Sequence, residues 1–163
     1  PDMLQTKDGN KVNQSRKGDI DFKGMLNAEV LIASDIYDQA MEIIAGRAFI
    51  SWEDIRDAAE DISEARDTYH NQSVIKDLKA TDLRWCDAED FLCTKKEYVE
   101  KTSRASITTY AAIVDGTWNE KGAMGWFGMA SDEMDQEDWN ENFHKLLDSI
   151  PDDHYISIVD CHI

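Results

Sequence analysis

A chain of 163 residues with 42% hydrophobic side chains has the length and apolar content for one packed domain, which excludes wholesale disorder. Its 34 acidic residues outnumber 17 basic ones, and the net charge of −17 repels nucleic acid and anionic membrane and favours a basic protein partner. No apolar run approaches the roughly 20 residues needed to cross a bilayer. Residues 1–6 lack the basic-then-apolar pattern of a secretion signal, and three cysteines at irregular spacing point to a reducing cytoplasm with buried thiols at Cys86, Cys93 and Cys161.

The surplus charge is uneven: net −2 over residues 1–50, −6 over 51–101 and −9 over 102–163. The polar, mildly basic start predicts a flexible lead-in over residues 1–18, ahead of one α+β domain over 19–163. Asp19 to Leu26 alternates weakly, as a short strand does. Asn27 to Gly46 fits one helix, or a strand through Glu29–Ile32 followed by a helix capped at Ser34, with Gly46 as the stop in either case. Ser51 predicts the cap of a helix over 52–70, in which Ile55, Ala59, Ile62, Arg66 and Tyr69 share one face. A less regular helical stretch covers Val74 to Leu83. Thr94 and Glu97 have the spacing of a capping box and open a short helix.

From Ser106 the period changes to two. Ile107, Thr109, Ala111 and Ile113 alternate with Thr108, Tyr110, Ala112 and Val114, Asp115-Gly116 signals a hairpin turn, and Thr117-Trp118 begins the return strand. Asp135 is placed to cap a helix carrying Trp139, Phe143, Leu146, Leu147 and Ile150, which Pro151 ends. Tyr155 to Val159 reads as a closing strand. The whole is an α+β pattern, mainly helical over 19–105 and ββαβ over 106–163, with a small, mostly antiparallel sheet.

Three constellations stand out. Glu53, Asp57, Glu60 and Glu64 recur at helical spacing, with Asp54, Asp61 and Asp67 beside them. Their neighbours would lie about 5–6 Å apart, a pitch comparable to nucleic-acid phosphates at about 3.4 Å of rise per step, so the row reads either as a solvated face or as a DNA mimic. Asp132, Glu133, Asp135, Glu137 and Asp138 form the second cluster, which lacks the glycine and terminal glutamate of a calcium loop. Asp160 and His162 would point the same way in a strand. They are the alternative metal or proton-relay pair, with Asp115, of a small metal-dependent or ligand-modifying enzyme. No nucleophile motif, phosphate-binding glycine loop or zinc signature is present, so no catalytic residue and no cofactor are expected. In the stretch from Gly122 to Met129, Trp126 and Phe127 are partner anchors if exposed and core if buried.

The string Asp115-Gly116-x-Trp118, Met124-Gly125-Trp126-Phe127-Gly128-Met129, Trp139, Leu146-Leu147-Asp148-Ser149-x-Pro151-Asp152-Asp153 and Val159-Asp160-Cys161-His162-Ile163 resembles the C-terminal module of uncharacterised phage and mobile-element proteins. The resemblance covers about a third of the chain, and no reaction carries over from it. It implies an anti-defence setting in a bacterial host, with anti-CRISPR proteins as the obvious class. The expected partner is then a basic surface of a host defence nuclease or its guide-RNA complex, such as a Cas9. The residues facing it would be Glu53, Asp57, Glu60, Glu64, Trp126, Phe127 and the Asp132–Asp138 cluster.

Overall fold

The computed structural model describes residues 4–83, 85–125 and 129–160. The chain divides into two compact units, Val30–Glu100 and a second built from Pro1–Glu29 with Lys101–Ile163. The α+β class read from the sequence holds: the described residues form six α-helices and four two-stranded antiparallel ladders.

The first helix starts earlier than its sequence pattern suggests. Of residues 19–26, expected as a strand, Asp19 ends a 3₁₀ turn and Ile20 makes one antiparallel bridge to Thr6, while Phe22 onward opens α1 (Phe22–Ile44) instead. The reason is Asp21, whose Oδ1 accepts the Gly24 N–H at 2.9 Å and so supplies a cap that outweighs a weak alternation. The ambiguous stretch after it is one continuous helix. Ala33, Ala40 and Ile44 are buried along it, with Ile36, Tyr37 and Met41 packed beside them, a helical and not a strand period. Gly46, at φ +73°, ends it in the left-handed conformation that glycine adopts without steric cost.

The helix expected over 52–70 is two helices, α2 (Trp52–Ala58) and α3 (Ile62–Asn71). Ser51 caps the first by accepting the Asp54 N–H at 3.1 Å. The chain then turns extended at Ala59, and Asp61 caps the second by accepting the N–H groups of Ser63 at 2.6 Å and Glu64 at 3.1 Å. A short side chain that can bond backbone two and three residues ahead competes with helix continuation, and here it wins.

Helix α4 (Ser73–Lys79) places Val74, Ile75 and Leu78 at 1–2% exposure, the most deeply buried large side chains. Each contributes about 1.5–3 kcal/mol by burial. A 3₁₀ turn at Ala88–Phe91 and α5 (Lys95–Ser106) complete this unit's packing, with the Phe91 and Tyr98 rings stacked at 4.9 Å. The capping box forms as the sequence implies: Thr94 N–H donates to Glu97 Oε2 at 2.8 Å, and Glu97 N–H to Thr94 Oγ1 at 3.3 Å. Helix α5 runs on to Ser106, so the strand expected from there begins later.

In the other unit, the lead-in forms strands. β1 (Leu4–Gln5) pairs with β2 (Lys11–Val12), and β3 (Gln14–Arg16) follows. Next in this unit come β4 (Ala111–Val114), β5 (Thr117–Glu120), β6 (Ala123–Met124), β7 (Ala130–Ser131), α6 (Gln136–Ser149) and β8 (Tyr155–Ser157). The closing strand does not join the hairpin. β8 pairs with β3, Ser15 opposite Ile156. Lys17 fixes that choice: its N–H donates to His154 O at 2.8 Å, and its Nζ donates to the Ile150 carbonyl at 2.6 Å, at the carboxyl end of α6. There a cation also complements the helix dipole. Among the described residues no helix is long and apolar enough to cross a membrane.

One network ties together several parts of the Val30–Glu100 unit. The Glu89 carboxylate accepts the Trp52 N–H at 2.8 Å and the Tyr69 hydroxyl at 2.6 Å, and Tyr69 is buried. Burial first, then the bond to Glu89 and its charge, push the Tyr69 phenol up. The folded state therefore keeps this proton where an unfolded tyrosine releases it, above about pH 10. The stabilisation is complete below that pH and falls as pH rises further. Tyr69→Phe is expected to cost about 1–2 kcal/mol at pH 8, with the difference from the parent narrowing at pH 11. Urea unfolding at both pH values measures it, and a constant difference contradicts the assignment.

Candidate functional site

The two acidic groups found in the sequence belong to different compact units. The row Glu53, Asp57, Glu60, Glu64 does not exist as one face. Glu53 and Asp57 lie on α2, Glu60 lies in the break, and Glu64 lies in the first turn of α3. Arg56 takes up two of the four, at 2.8 Å from Asp57 and 3.8 Å from Glu53. What remains is two short exposed groups, partly neutralised, so the spacing argument for a nucleic-acid mimic on this helix is lost.

The second group stands beside a hairpin with an unusual surface. Asp115 and Gly116 both have positive φ, +51° and +77°, the geometry of a two-residue turn that matches strand twist. That turn sets the register, pairing Val114 with Thr117, Ile113 with Trp118, Ala112 with Asn119 and Ala111 with Glu120. Side chains two apart share a face, so Ile113, Trp118, Ala111 and Glu120 lie together. Ile113 is 68% exposed and Trp118 58% exposed. The Trp118 indole N–H donates to Glu120 Oε2 at 2.7 Å, which holds the ring beside a carboxylate on the open face. Met124, at the end of β6, and Met129, just before β7, are exposed as well.

This surface is braced from within its own unit. Trp139 and Phe143, four apart on α6, are buried, and the Trp139 indole N–H donates to Thr109 O at 2.8 Å. Tyr110 donates its hydroxyl to Gly122 O at 2.7 Å. Burial raises the Tyr110 pKa, and the charges of Glu133 and Glu120 raise it further. An open groove of about 450 Å³ is lined by Asn119 and Glu120 of β5, Met134, and Trp139, Asn142 and Lys145 of α6 among others.

The acids of the second cluster divide by role. Asp135 caps α6, its Oδ1 accepting the Glu137 N–H at 2.8 Å, as the sequence implies. Glu133 sits 3.4 Å from Lys121. Asp132, at φ +53°, and Glu137 and Asp138 in the first turn of α6 are exposed and have no ion-pair partner among the described residues. Lys145 is held by Glu141 at 2.8 Å, and its bond and charge lower the Glu141 pKa. Beyond Arg104 the sequence has 12 acidic residues and only these two lysines, both of them paired with a carboxylate.

Trp126 and Phe127 lie outside the described residues, as do His162 and Cys161. Asp160 and the turn residue Asp115 are exposed. Among the described residues, no group of three or more His, Cys, Asp or Glu side chains is arranged to hold a metal ion. The thiols are less buried than expected: Cys86 is half-buried and Cys93 exposed. The exposed Ile113–Trp118 pair is the feature the sequence reading missed, although the Asp115-Gly116 turn determines that these two residues stand opposite each other. Chemically, the surface offers an indole, aliphatic and thioether side chains and acceptor-only carboxylates. That combination suits aliphatic chains and cations, including a cation over the indole face.

Comparison with protein-family models, with curated proteins and with solved structures finds no match to this chain.

Gly122 is the position where the site depends on a close approach. A Cβ there would meet the Glu133 Cα at 2.8 Å and the Ser131 carbonyl at 2.9 Å. Gly122→Ala is therefore expected to destabilise the protein by about 1–3 kcal/mol, whereas Trp118→Ala, on the open face, should stay within about 0.5 kcal/mol. Urea midpoints of the two variants measure this. Equal midpoints for both would contradict the packing described.

Proposed function

We propose that this chain is an acidic binding protein that occupies a basic surface of a protein partner. The observation that carries this reading is the exposed Ile113–Trp118 pair on a turn-locked hairpin, with the Glu120 carboxylate bonded to the indole, in a unit that holds 17 acidic and 9 basic residues. An aromatic anchor beside a carboxylate on a strongly acidic unit suits recognition of Lys- and Arg-rich protein surface, with the anchor supplying affinity and the charge supplying speed of association. A net charge of −17 works against nucleic acid as the direct ligand.

In its narrower form, which rests on the resemblance to phage and mobile-element modules, the partner is a host defence nuclease. The protein then acts as an anti-CRISPR inhibitor of a Cas nuclease, covering the basic site that otherwise receives nucleic acid. Glu120, Asp132, Glu137 and Asp138 would face the partner's cations, and Trp118 would enter its surface. Trp126 and Phe127 are assigned to the same contact. Glu53, Asp57, Glu60 and Glu64 belong to a secondary role, since they no longer form one row.

The test is DNA cleavage by purified Cas nucleases titrated with the protein, at 0.1 and 0.5 M salt. Stoichiometric inhibition is expected at low salt, weakened at high salt because the screening length falls well below about 10 Å. Trp118→Ala and the double charge reversal Asp132→Lys, Asp138→Lys should each reduce it by about tenfold or more. Inhibition indifferent to salt and to these changes would remove the mechanism. Failure to bind any nuclease tried would remove the narrower form.

A further inference from the structure

The hairpin also carries an unfilled hydrogen-bonding edge. In an antiparallel pair, residues alternate between those that bond across the ladder and those whose backbone groups point away from it. The Lys121 N–H bond to Tyr110 O at 3.0 Å fixes the phase. Counting from it, Asn119–Ala112 and Thr117–Val114 are the bonded pairs. The N–H and C=O of Trp118 and of Glu120 then point outward from β5. Among the described residues β5 has no second strand neighbour, and no described group bonds those N–H groups. The equivalent edge of β4 differs, because the Thr109 hydroxyl donates to Ala111 O at 2.7 Å.

We infer that β5 receives an extended, lysine- or arginine-bearing segment of the partner by strand addition, with the Trp118 and Glu120 backbone groups as its hydrogen-bonding partners. An added strand presents alternate side chains to each face. On the face it shares with Trp118 and Glu120, one apolar residue can lie against the indole, and a cation can reach the Glu120 carboxylate. Charge complementarity selects the occupant. Beyond Arg104 the acids outnumber the lysines 12 to 2, so an acidic or neutral strand, or the same edge of a second copy, meets like charge or no attraction. This inference rests on the basic-partner reading and adds to it the mode of contact.

The test uses the full chain with two synthetic decapeptides, one alternating lysine with valine and one alternating glutamate with valine. Amide hydrogen exchange is followed by NMR. The lysine peptide is expected to slow exchange at Trp118 and Glu120 by about tenfold or more, while Asn119, already bonded to Ala112, stays unchanged. Trp118→Thr, which keeps the strand, should weaken binding, and Trp118→Pro, which also removes an outward N–H, should abolish the protection. Salt-sensitive binding without that alternate pattern overturns strand addition and leaves the basic-partner reading standing. Equal binding of the glutamate peptide overturns the charge selection, and no binding of the lysine peptide overturns strand addition at this edge. The basic-partner reading is decided separately, by the cleavage titration.

Discussion

Helices leave their first N–H groups without partners, and this chain meets that need repeatedly with carboxylates and hydroxyls from its own sequence. Asp21 closes the start of α1, Ser51 that of α2, Asp61 that of α3, the Thr94–Glu97 box that of α5 and Asp135 that of α6. Most of the architecture follows from where these acceptors fall. They convert a weak alternation into a long helix at residue 21, cut one expected helix into two at residue 61, and set the start of α6 ahead of its buried Trp139 and Phe143. Each such cap contributes on the order of 1 kcal/mol, and the negative end of the side chain also meets the positive end of the helix dipole.

That allocation changes the meaning of the acidity. Divided by unit, the charge is nearly even: 17 acidic and 8 basic residues in Val30–Glu100, 17 and 9 in the remainder. A carboxylate that caps a helix or pairs with Arg56 is part of the fold and is not offered to a partner. Subtracting those leaves Asp132, Glu137 and Asp138, in the same unit as the exposed Trp118 indole, as exposed acids with no ion-pair partner among the described residues. Surface ion pairs such as Lys145–Glu141 contribute little stability on their own, about 0–1 kcal/mol. Their effect here is to use up the few cations near the hairpin.

The hairpin itself combines two features that normally invite aggregation, an open strand edge and exposed apolar side chains. Glu120 and the acidic surplus of its unit supply the usual protection against pairing with a second copy, by placing like charge opposite like charge. On the proposed reading the same charge would attract a basic strand, so that protection and recognition come from one arrangement. A neutral surface of the same shape would have no means of telling its partner from itself.

Sequence alone determined the elements whose signals are local. The Asp115-Gly116 turn, the caps at Ser51, Thr94–Glu97 and Asp135, the stop at Gly46 and the α+β class all depend on interactions within a few residues, and all stand as read. The break at Asp61 was equally local and was present in Asp61-Ile62-Ser63-Glu64, but a regular apolar period across it masked the cap. Tertiary structure alone decided the partner of β8, since whether Tyr155–Ser157 joins the hairpin or β3 depends on Lys17 meeting the end of α6 from far away in sequence. It also decided which acids are spent and that Ile113 and Trp118 remain open to solvent. Burial is a property of what lies on the other side of a face, and a strand's own alternation cannot report that.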